Sequence, residues 1–259
     1  MYDSVEAGNL ETVVGIADAQ PSAFAGSGAA RQFPARCNGC GLRRLCIASS
    51  LEPEELPQLE AVVSHWRMVH RGEFLFRAGD RFQSLYTVRS GSLKTVASHA
   101  GGLEHVTGFF LPGETVGLGA IGEGEYDCDA IALEDSAVCV LPFAPLESLC
   151  RDVKSLQQHF HKMLSREILR ESKQMILLSG MTSEQRVAAF LINVSCRLQE
   201  RGYASRDFTL RMTREEIGSY LGIKLETVSR TFSRFQREGL IRVDGKRIEL
   251  YDLEALAAI

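Results

Sequence analysis

The rhythm of glycines across residues 68–143 constrains this chain more than any other feature. Gly72, Gly79, Gly91, Gly113 and Gly117 separate short apolar runs such as Phe74-Leu75-Phe76, Leu85-Tyr86-Thr87-Val88 and Ser92-Leu93-Lys94-Thr95-Val96. Short runs punctuated by turn residues read as strands. An antiparallel barrel or roll is what many short, evenly spaced strands build. Ahead of them, Glu52-Pro53-Glu54-Glu55-Leu56-Pro57 predicts a short acidic helix running to about His65 or Trp66, because carboxylates favour a first helical turn.

The period changes after the strands. Over residues 145–179 the apolar positions Val153, Leu156, Phe160, Met163, Leu164, Ile168, Met175 and Leu178 recur at helical spacing. Steps alternating near three and four are those of a coiled-coil seam. On that register Glu171 falls between Ile168 and Met175. In a parallel two-fold dimer it would face its own copy, and like charges so placed repel. The commoner place for such a carboxylate is the solvated helix flank. A seam carrying Glu171 is marginal, so dimerisation through Leu164, Ile168 and Met175 would need help from another site.

The last third follows a third pattern. A helix from about Glu184 to Arg201 ends at Gly202. Thr213-Arg214-Glu215-Glu216 is a capping box opening a short helix, and Gly222 makes the turn. A second helix runs from about Leu225 to Arg237 and is closed by Gly239. Residues 240–243 and 247–250 flank the hairpin signal Asp244-Gly245. Helix, glycine turn, helix and hairpin make a winged helix-turn-helix. Glu226, Ser229 and Arg230 share one face near the start of the second helix, the part that enters the major groove in this motif. Arg can bridge guanine O6 and N7, Glu can accept from cytosine N4, and Ser suits either role. Thr227, Lys224, Arg234 and Lys246 are better placed for phosphates.

Cys37-Asn38-Gly39-Cys40-Gly41-Leu42-Arg43-Arg44-Leu45-Cys46 puts three thiols within ten residues, spaced C-x2-C-x5-C. Thiolates select zinc, copper(I) or iron–sulfur clusters. Sequence-local zinc knuckles usually show two close pairs, whereas here there is one pair, a third Cys and a distant fourth ligand. That asymmetry suits a four-Cys cubane cluster. Gly39 and Gly41 would let backbone amides approach its sulfides. For the fourth ligand two residues compete: Cys139, in the alternating strand Ala137-Val138-Cys139-Val140-Leu141-Pro142, and Cys128, near a polar turn. Spacing does not choose between them. Cys150 and Cys196 fall in helical patterns as core or surface thiols.

Composition limits the function classes. Net charge is −4 over 259 residues, which argues against a protein that coats nucleic acid generally. Residues 181–259 carry 13 Lys and Arg against 11 Asp and Glu, so local phosphate contact is permitted on an otherwise acidic body. No signal peptide and no apolar run long enough to span a bilayer is seen. The expected compartment is a reducing cytoplasm, where clustered Cys read as metal or redox sites. No nucleophile–base pair or phosphate loop stands out, so an enzyme is not expected.

The runs Arg71-Gly72-Glu73-Phe74-Leu75-Phe76-Arg77-Ala78-Gly79-Asp80, Leu85-Tyr86-Thr87-Val88-Arg89-Ser90-Gly91 and Pro112-Gly113-Glu114-Thr115-Val116-Gly117 resemble the cyclic-nucleotide-binding-like roll of the Crp/Fnr regulators. Nucleotide-binding members place an Arg and a small hydroxyl residue on the cyclic phosphate. Here those positions hold Asp127 and Cys128, and an aspartate would repel a phosphate. No cyclic nucleotide is therefore expected.

With the Cys segment, Cys139 in its Val-Cys-hydrophobic-Pro setting, Ile168 with Glu171, and Glu226-Thr227-Val228-Ser229-Arg230, the chain resembles an FNR-type oxygen-responsive transcription regulator. The fold class implied is α+β: a β-roll, a long dimerisation helix and a C-terminal winged helix-turn-helix. The expected layout is a disordered lead-in at 1–36, a cluster-binding segment at 37–50, the roll at 51–144, the dimerisation helix at 145–180 and the DNA-binding domain at 181–259. The resemblance implies a [4Fe-4S] cluster on Cys37, Cys40, Cys46 and Cys139, which fit the family's ligands better than a set containing Cys128. It implies a cluster-loaded homodimer that binds palindromic TTGAT-like sites and recruits RNA polymerase. Oxygen would convert the cluster to [2Fe-2S], then to apo-protein, and the dimer would separate. The alternative is a regulator of the same fold gated by a small ligand in the roll, with zinc or no metal at the Cys segment.

Overall fold

The computed structural model describes residues 32–98, 102 and 104–259. The elements in order are β1 (Gln32–Phe33), α1 (Leu56–Val62), β2 (His65–Val69), β3 (Phe74–Phe76), β4 (Ser84–Ser90), β5 (Leu93–Ser98), β6 (Glu104–Phe110), β7 (Thr115–Val116), α2 (Ala120–Glu123), β8 (Asp129–Ala132) and β9 (Ser136–Pro142). They are followed by α3 (Phe143–Asp152), α4 (Lys154–Gly180), α5 (Ser183–Glu200), β10 (Asp207–Thr209), α6 (Arg214–Leu221), α7 (Leu225–Arg237), β11 (Ile241–Asp244), β12 (Arg247–Leu250) and α8 (Leu253–Ala257).

The glycine-punctuated strands form two antiparallel sheets, ordered β1-β2-β9-β4-β7 and β3-β8-β5-β6. Their inner faces meet in a core that includes Val69, Phe76, Val88, Leu93, Phe110, Val116 and Val138. Phe76 stacks on Tyr126 at 3.8 Å between ring centroids, and the Tyr126 hydroxyl donates to the Ser84 carbonyl at 2.6 Å. This is the expected roll.

Four local expectations are corrected. The first helix is shorter than expected and stops at Val62, because His65 and Trp66 join β2 and pair with Val140 and Cys139 of β9. Pro57 sits in the first turn of α1, where its missing N–H costs nothing. The lead-in expected to be disordered through residue 36 is ordered at its end, where Gln32 and Phe33 pair with β2 and Phe33 stacks on Trp66 at 4.2 Å. Residues 1–31 of that lead-in lie outside the described residues.

The long helix is not continuous. It breaks at Val153, which has extended backbone angles and buries its side chain. Val153, Leu156 and Cys150 join a second core with Leu56, Leu59, Leu85 and Leu141. The expected seam therefore divides. Its first part packs into the chain's own core, with Phe160 and Met163 against it. Its second part stands free: Ile168 is 67% exposed and Met175 72%, with Leu169 and Ile176 also exposed.

The winged helix-turn-helix has the expected order. The Thr213 hydroxyl accepts from the Glu216 N–H, and the Glu216 carboxylate accepts from the Thr213 N–H at 2.6 Å. Gly222 caps α6 with φ 62°. Gly218 is required by proximity, since a Cβ there would lie 2.6 Å from the Ile223 carbonyl oxygen. The hairpin loop is Gly245-Lys246 rather than Asp244-Gly245, because Asp244 and Arg247 already pair. β10 adds a third strand to the wing, and α8 closes the chain.

Candidate functional site: a thiol cluster and a recognition helix

Strand alternation decides where Cys139 points. On β9, Val138 enters the roll interior while Cys139 and Leu141 face the other side, against the core shared by α1, α3 and the start of α4. Cys37 and Cys46 pack against that same core. Cys128 does not: it packs against the roll interior.

The Cys segment is a chain of turns. The Cys37 carbonyl accepts from the Cys40 N–H at 3.2 Å, the Cys40 carbonyl from Arg43, and the Leu42 carbonyl from Cys46. Its entry is held by Glu60 of α1, whose carboxylate accepts from the Cys37 and Asn38 N–H groups at 2.6 and 2.9 Å. Its exit, a 3-10 turn at Ile47–Ser50, meets α4, where Ser49 Oγ lies 3.4 Å from the His159 ring. Gly39 and Gly41 have open space beside them, so close backbone approach is available, as expected.

Electrostatics groups the same four sulfurs. Burial first, then Cys46, Cys139, Glu60 and Cys40, pushes the Cys37 thiol up to about 12. Burial, with Cys40 and Cys139 adding to it, takes Cys46 to about 11 despite hydrogen bonds to the Ala48 and Cys46 backbone that oppose the shift. Cys139 is raised by burial and opposed by Arg89. Cys128 is also pushed up to about 12, by burial and then by Asp127, Asp129 and Glu171, with no other Cys involved. Among the described residues, no three His, Cys, Asp or Glu side chains are drawn into a closed metal-holding group. The donor set still fits a thiophilic cation. Burial and neighbouring sulfurs make Cys37 and Cys46 resist ionisation, Arg89 opposes the rise at Cys139, and a bound cation reverses the remaining cost.

The recognition face lies on α7. Val228, Phe232 and Phe235 are buried, which turns the opposite side outward. Lys224, Glu226 and Arg230 are exposed, and Thr227 and Ser229 are half-buried beside them. No side chain caps the first turn of α7, which leaves backbone N–H groups there for an anion. Two of the cations expected at phosphates are engaged. Arg234 pairs with Glu184 and with Glu238, the latter at 2.8 Å. Lys246 donates to the Arg211 carbonyl at 2.8 Å.

Arg186, on α5, had no sequence signal. It donates to the carbonyls of Met181, Leu178 and Leu221, fastening the end of α4 to the helix-turn-helix. Of the four seam residues, Ile168, Met175 and Glu171 are exposed and Leu164 is half-buried. Among the described residues, no helix is long and apolar enough to cross a membrane.

Comparison with known proteins accords with this geometry. Residues 185–259 match the family model of the Crp-like helix-turn-helix domain, and residues 66–153 match the cyclic nucleotide-binding domain. The chain is 43% identical over 225 residues to the transcriptional activator protein anr of Pseudomonas aeruginosa, covering 87% of this chain and 92% of that one. It is 41% identical over 223 residues to the fumarate and nitrate reduction regulatory protein of Shigella dysenteriae, covering 86% and 89%. The structure of FixK2 from Bradyrhizobium japonicum aligns with a TM-score of 0.69 at 26% identity, over 74% of this chain and 95% of that one. Both relatives are named as transcriptional or regulatory proteins, and this chain carries a helix-turn-helix domain of that kind. A roll, a seam helix and a winged helix-turn-helix, with this identity along nearly the whole chain, establish that the protein belongs to the FNR-type transcription regulators of the Crp/Fnr superfamily.

Proposed function

We propose that this protein is a cytoplasmic anaerobic transcription regulator that binds an oxygen-labile [4Fe-4S] cluster through Cys37, Cys40, Cys46 and Cys139. The observation that carries the reading is the placement of Cys139 on the outward face of β9, against the core where Cys37 and Cys46 also pack. The cluster supplies a reaction with oxygen that the side chains alone lack.

The remaining steps belong to the chain. Glu60 holds the entry of the Cys segment, and its exit turn lies on α4 at His159. The first half of α4 shares a core with Cys37, Cys46 and Cys139, and from the half-buried Leu164 onward the helix presents Ile168, Glu171 and Met175. A change in how the segment packs therefore reaches the helix that carries the seam. An interface weakened by Glu171 is switched by a coupling of about 1–3 kcal/mol. The dimer places two α7 helices on a palindromic TTGAT-like site, and both half-sites must be engaged for tight binding. Glu226, Ser229 and Arg230 read base edges there. Thr227 and Lys224 hold phosphates, as Arg234 does once released from its carboxylates. The DNA-bound dimer recruits RNA polymerase. With Asp127 and Cys128 at the phosphate positions, the roll takes no cyclic nucleotide.

The test is an absorption spectrum of anaerobically purified protein with iron, sulfide and zinc analysis, repeated after air. Iron and sulfide near four per chain, with a broad visible band that bleaches in air, is the expected result. Zinc alone, or no metal, with DNA binding unchanged in air would sink the reading and leave the ligand-gated alternative.

A further inference from the structure

The loop between β6 and β7 touches the Cys segment on one side and the DNA-binding domain on the other. Toward the Cys segment, Gly113 (φ 91°) lies so close to Leu45 that a Cβ there would stand 2.7 Å from the Leu45 Cβ. Leu45 directly precedes Cys46. The same loop is tied to β4: the Val88 carbonyl accepts from Gly113 at 2.8 Å, and the Glu114 carbonyl accepts from Val88 at 2.9 Å. Val88 and Thr87 pair with Val138 and Cys139 on β9. The loop is thus bracketed by both parts of the thiol set.

Toward the DNA-binding domain, the Glu114 carboxylate accepts from Arg197 of α5 and from Arg201, the residue that caps its end, with ion-pair distances of 2.5 Å to each. Arg197 also donates to the Phe109 carbonyl at 2.6 Å, and Arg201 to the Pro112 carbonyl at 2.7 Å. Beside them Phe109 packs on Tyr220 and Phe190. The Val106 N–H donates to Ser219 Oγ at 2.9 Å, and Lys94 pairs with Glu216 at 2.7 Å. One core runs through Val96, Val106 and Phe109 of the roll into Leu191, Ile217 and Phe232 of the winged helix-turn-helix. A half-buried carboxylate shared by two guanidinium groups, one of them on the nearly buried Arg201 side chain, is geometrically demanding, since displacing any partner leaves a poorly solvated charge unpaired.

We propose that the segment Leu111–Glu114 is a relay within one protomer, through which Leu45 and Glu114 couple the state of the Cys segment to the docking of the DNA-binding domain on its own roll. It rests on the reading that the Cys segment changes state with its metal. It adds a route to DNA affinity that does not pass through the dimer seam. Glu114 and Leu45 are positioning residues. Leu45 sets where the loop lies, and Glu114 sets whether α5 and α6 stay seated.

The test is hydrogen–deuterium exchange of α5 and α6 amides in the full chain, anaerobically reconstituted with iron and sulfide or chelated free of both. Iron content is measured on every sample. Ile168→Glu, which puts a second carboxylate on the exposed seam face, provides the monomeric background, its monomeric state being verified by sedimentation. In that background, a change of at least about fivefold in α5 and α6 exchange between the two metal states is expected. Leu45→Ala, with iron content retained, should remove the difference. Glu114→Gln should exchange fast in both states and leave the monomer–dimer constant of the otherwise wild-type chain unchanged. The relay is overturned if exchange in the iron-loaded monomer matches the metal-free form, or if Leu45→Ala responds to iron as its parent does. Should the wild-type chain hold no iron, the cluster reading fails by itself. Comparing Glu114→Gln with wild type in metal-free protein still decides the docking, and equal exchange overturns it.

Discussion

At the scale of single residues, two cysteines of similar burial are separated by what surrounds them. Cys139 shares its surroundings with Cys37 and Cys46, whereas Cys128 answers to Asp127, Asp129 and Glu171. Cys139→Ser is therefore expected to abolish the visible chromophore of the anaerobic protein, and Cys128→Ser to leave it intact. Parallel absorption and iron analysis of the two variants checks this. On α7 the distinction lies between reading and holding. Arg230→Ala should cost about 1–3 kcal/mol at one base position and relax specificity there. Lys224→Ala should weaken all sequences alike and flatten the salt dependence. Titrations against a site and its single-base variants at two salt concentrations separate these outcomes.

At the scale of elements, the seam half of α4 exposes Ile168, Leu169, Met175 and Ile176 together, and so large an apolar face on one helix marks an interface. Glu171 stands exposed among them. Glu171→Ala should strengthen dimerisation of the metal-free protein, as read by sedimentation over a concentration series. An unchanged constant would show that the carboxylate is solvated and costs the dimer nothing. Elements defined by local chemistry were legible in the sequence: the Thr213 capping box, the Gly222 turn, α7 and the glycine-separated strands. The three N-terminal thiols were legible for the same reason, being near in sequence. Features that depend on remote pairing were not. Nothing local sets the register that turns Cys139 outward, the pull of the core on Val153 that breaks the long helix, or the pairing of Gln32 and Phe33 with β2. Arg234 reads from sequence as a phosphate contact; its partner Glu184 lies on another helix, beyond any local pattern, whereas Glu238 lies four residues on in the same helix. The ring of Glu114, Arg197 and Arg201 joins residues more than eighty positions apart, beyond any period or motif.

At the scale of the whole molecule, the roll and the DNA-binding domain meet through charges whose behaviour with pH has a definite sign. Burial alone would raise the Glu114 carboxyl, but Arg197 and Arg201 hold it below the usual carboxylate range. Glu216 is likewise lowered by Lys94 against its own burial. A depressed folded-state pKa stabilises the docked form above the ordinary carboxylate value of about 4.3, and that contribution is lost as pH falls through the lower native value. Metal-free protein should therefore undock its DNA-binding domain in acid before the roll unfolds. Small-angle scattering would register a reversible expansion while the far-ultraviolet circular dichroism of the strands persists.

The three carbonyls gripped by Arg186 have a consequence for the operator. They tie the end of the seam helix to the helix-turn-helix, so in the proposed dimer each protomer would carry its reading head on a stiff arm measured from the two-fold axis. The dimer is then a ruler of one length. Adding one base pair between half-sites turns one of them by about a tenth of a helical turn and moves it outward by about 3.4 Å. A stiff arm cannot follow, so binding should fall towards the non-specific level. Arg186→Ala should loosen the arm, lowering affinity for the natural spacing while narrowing the gap between the two spacings in a mobility-shift titration.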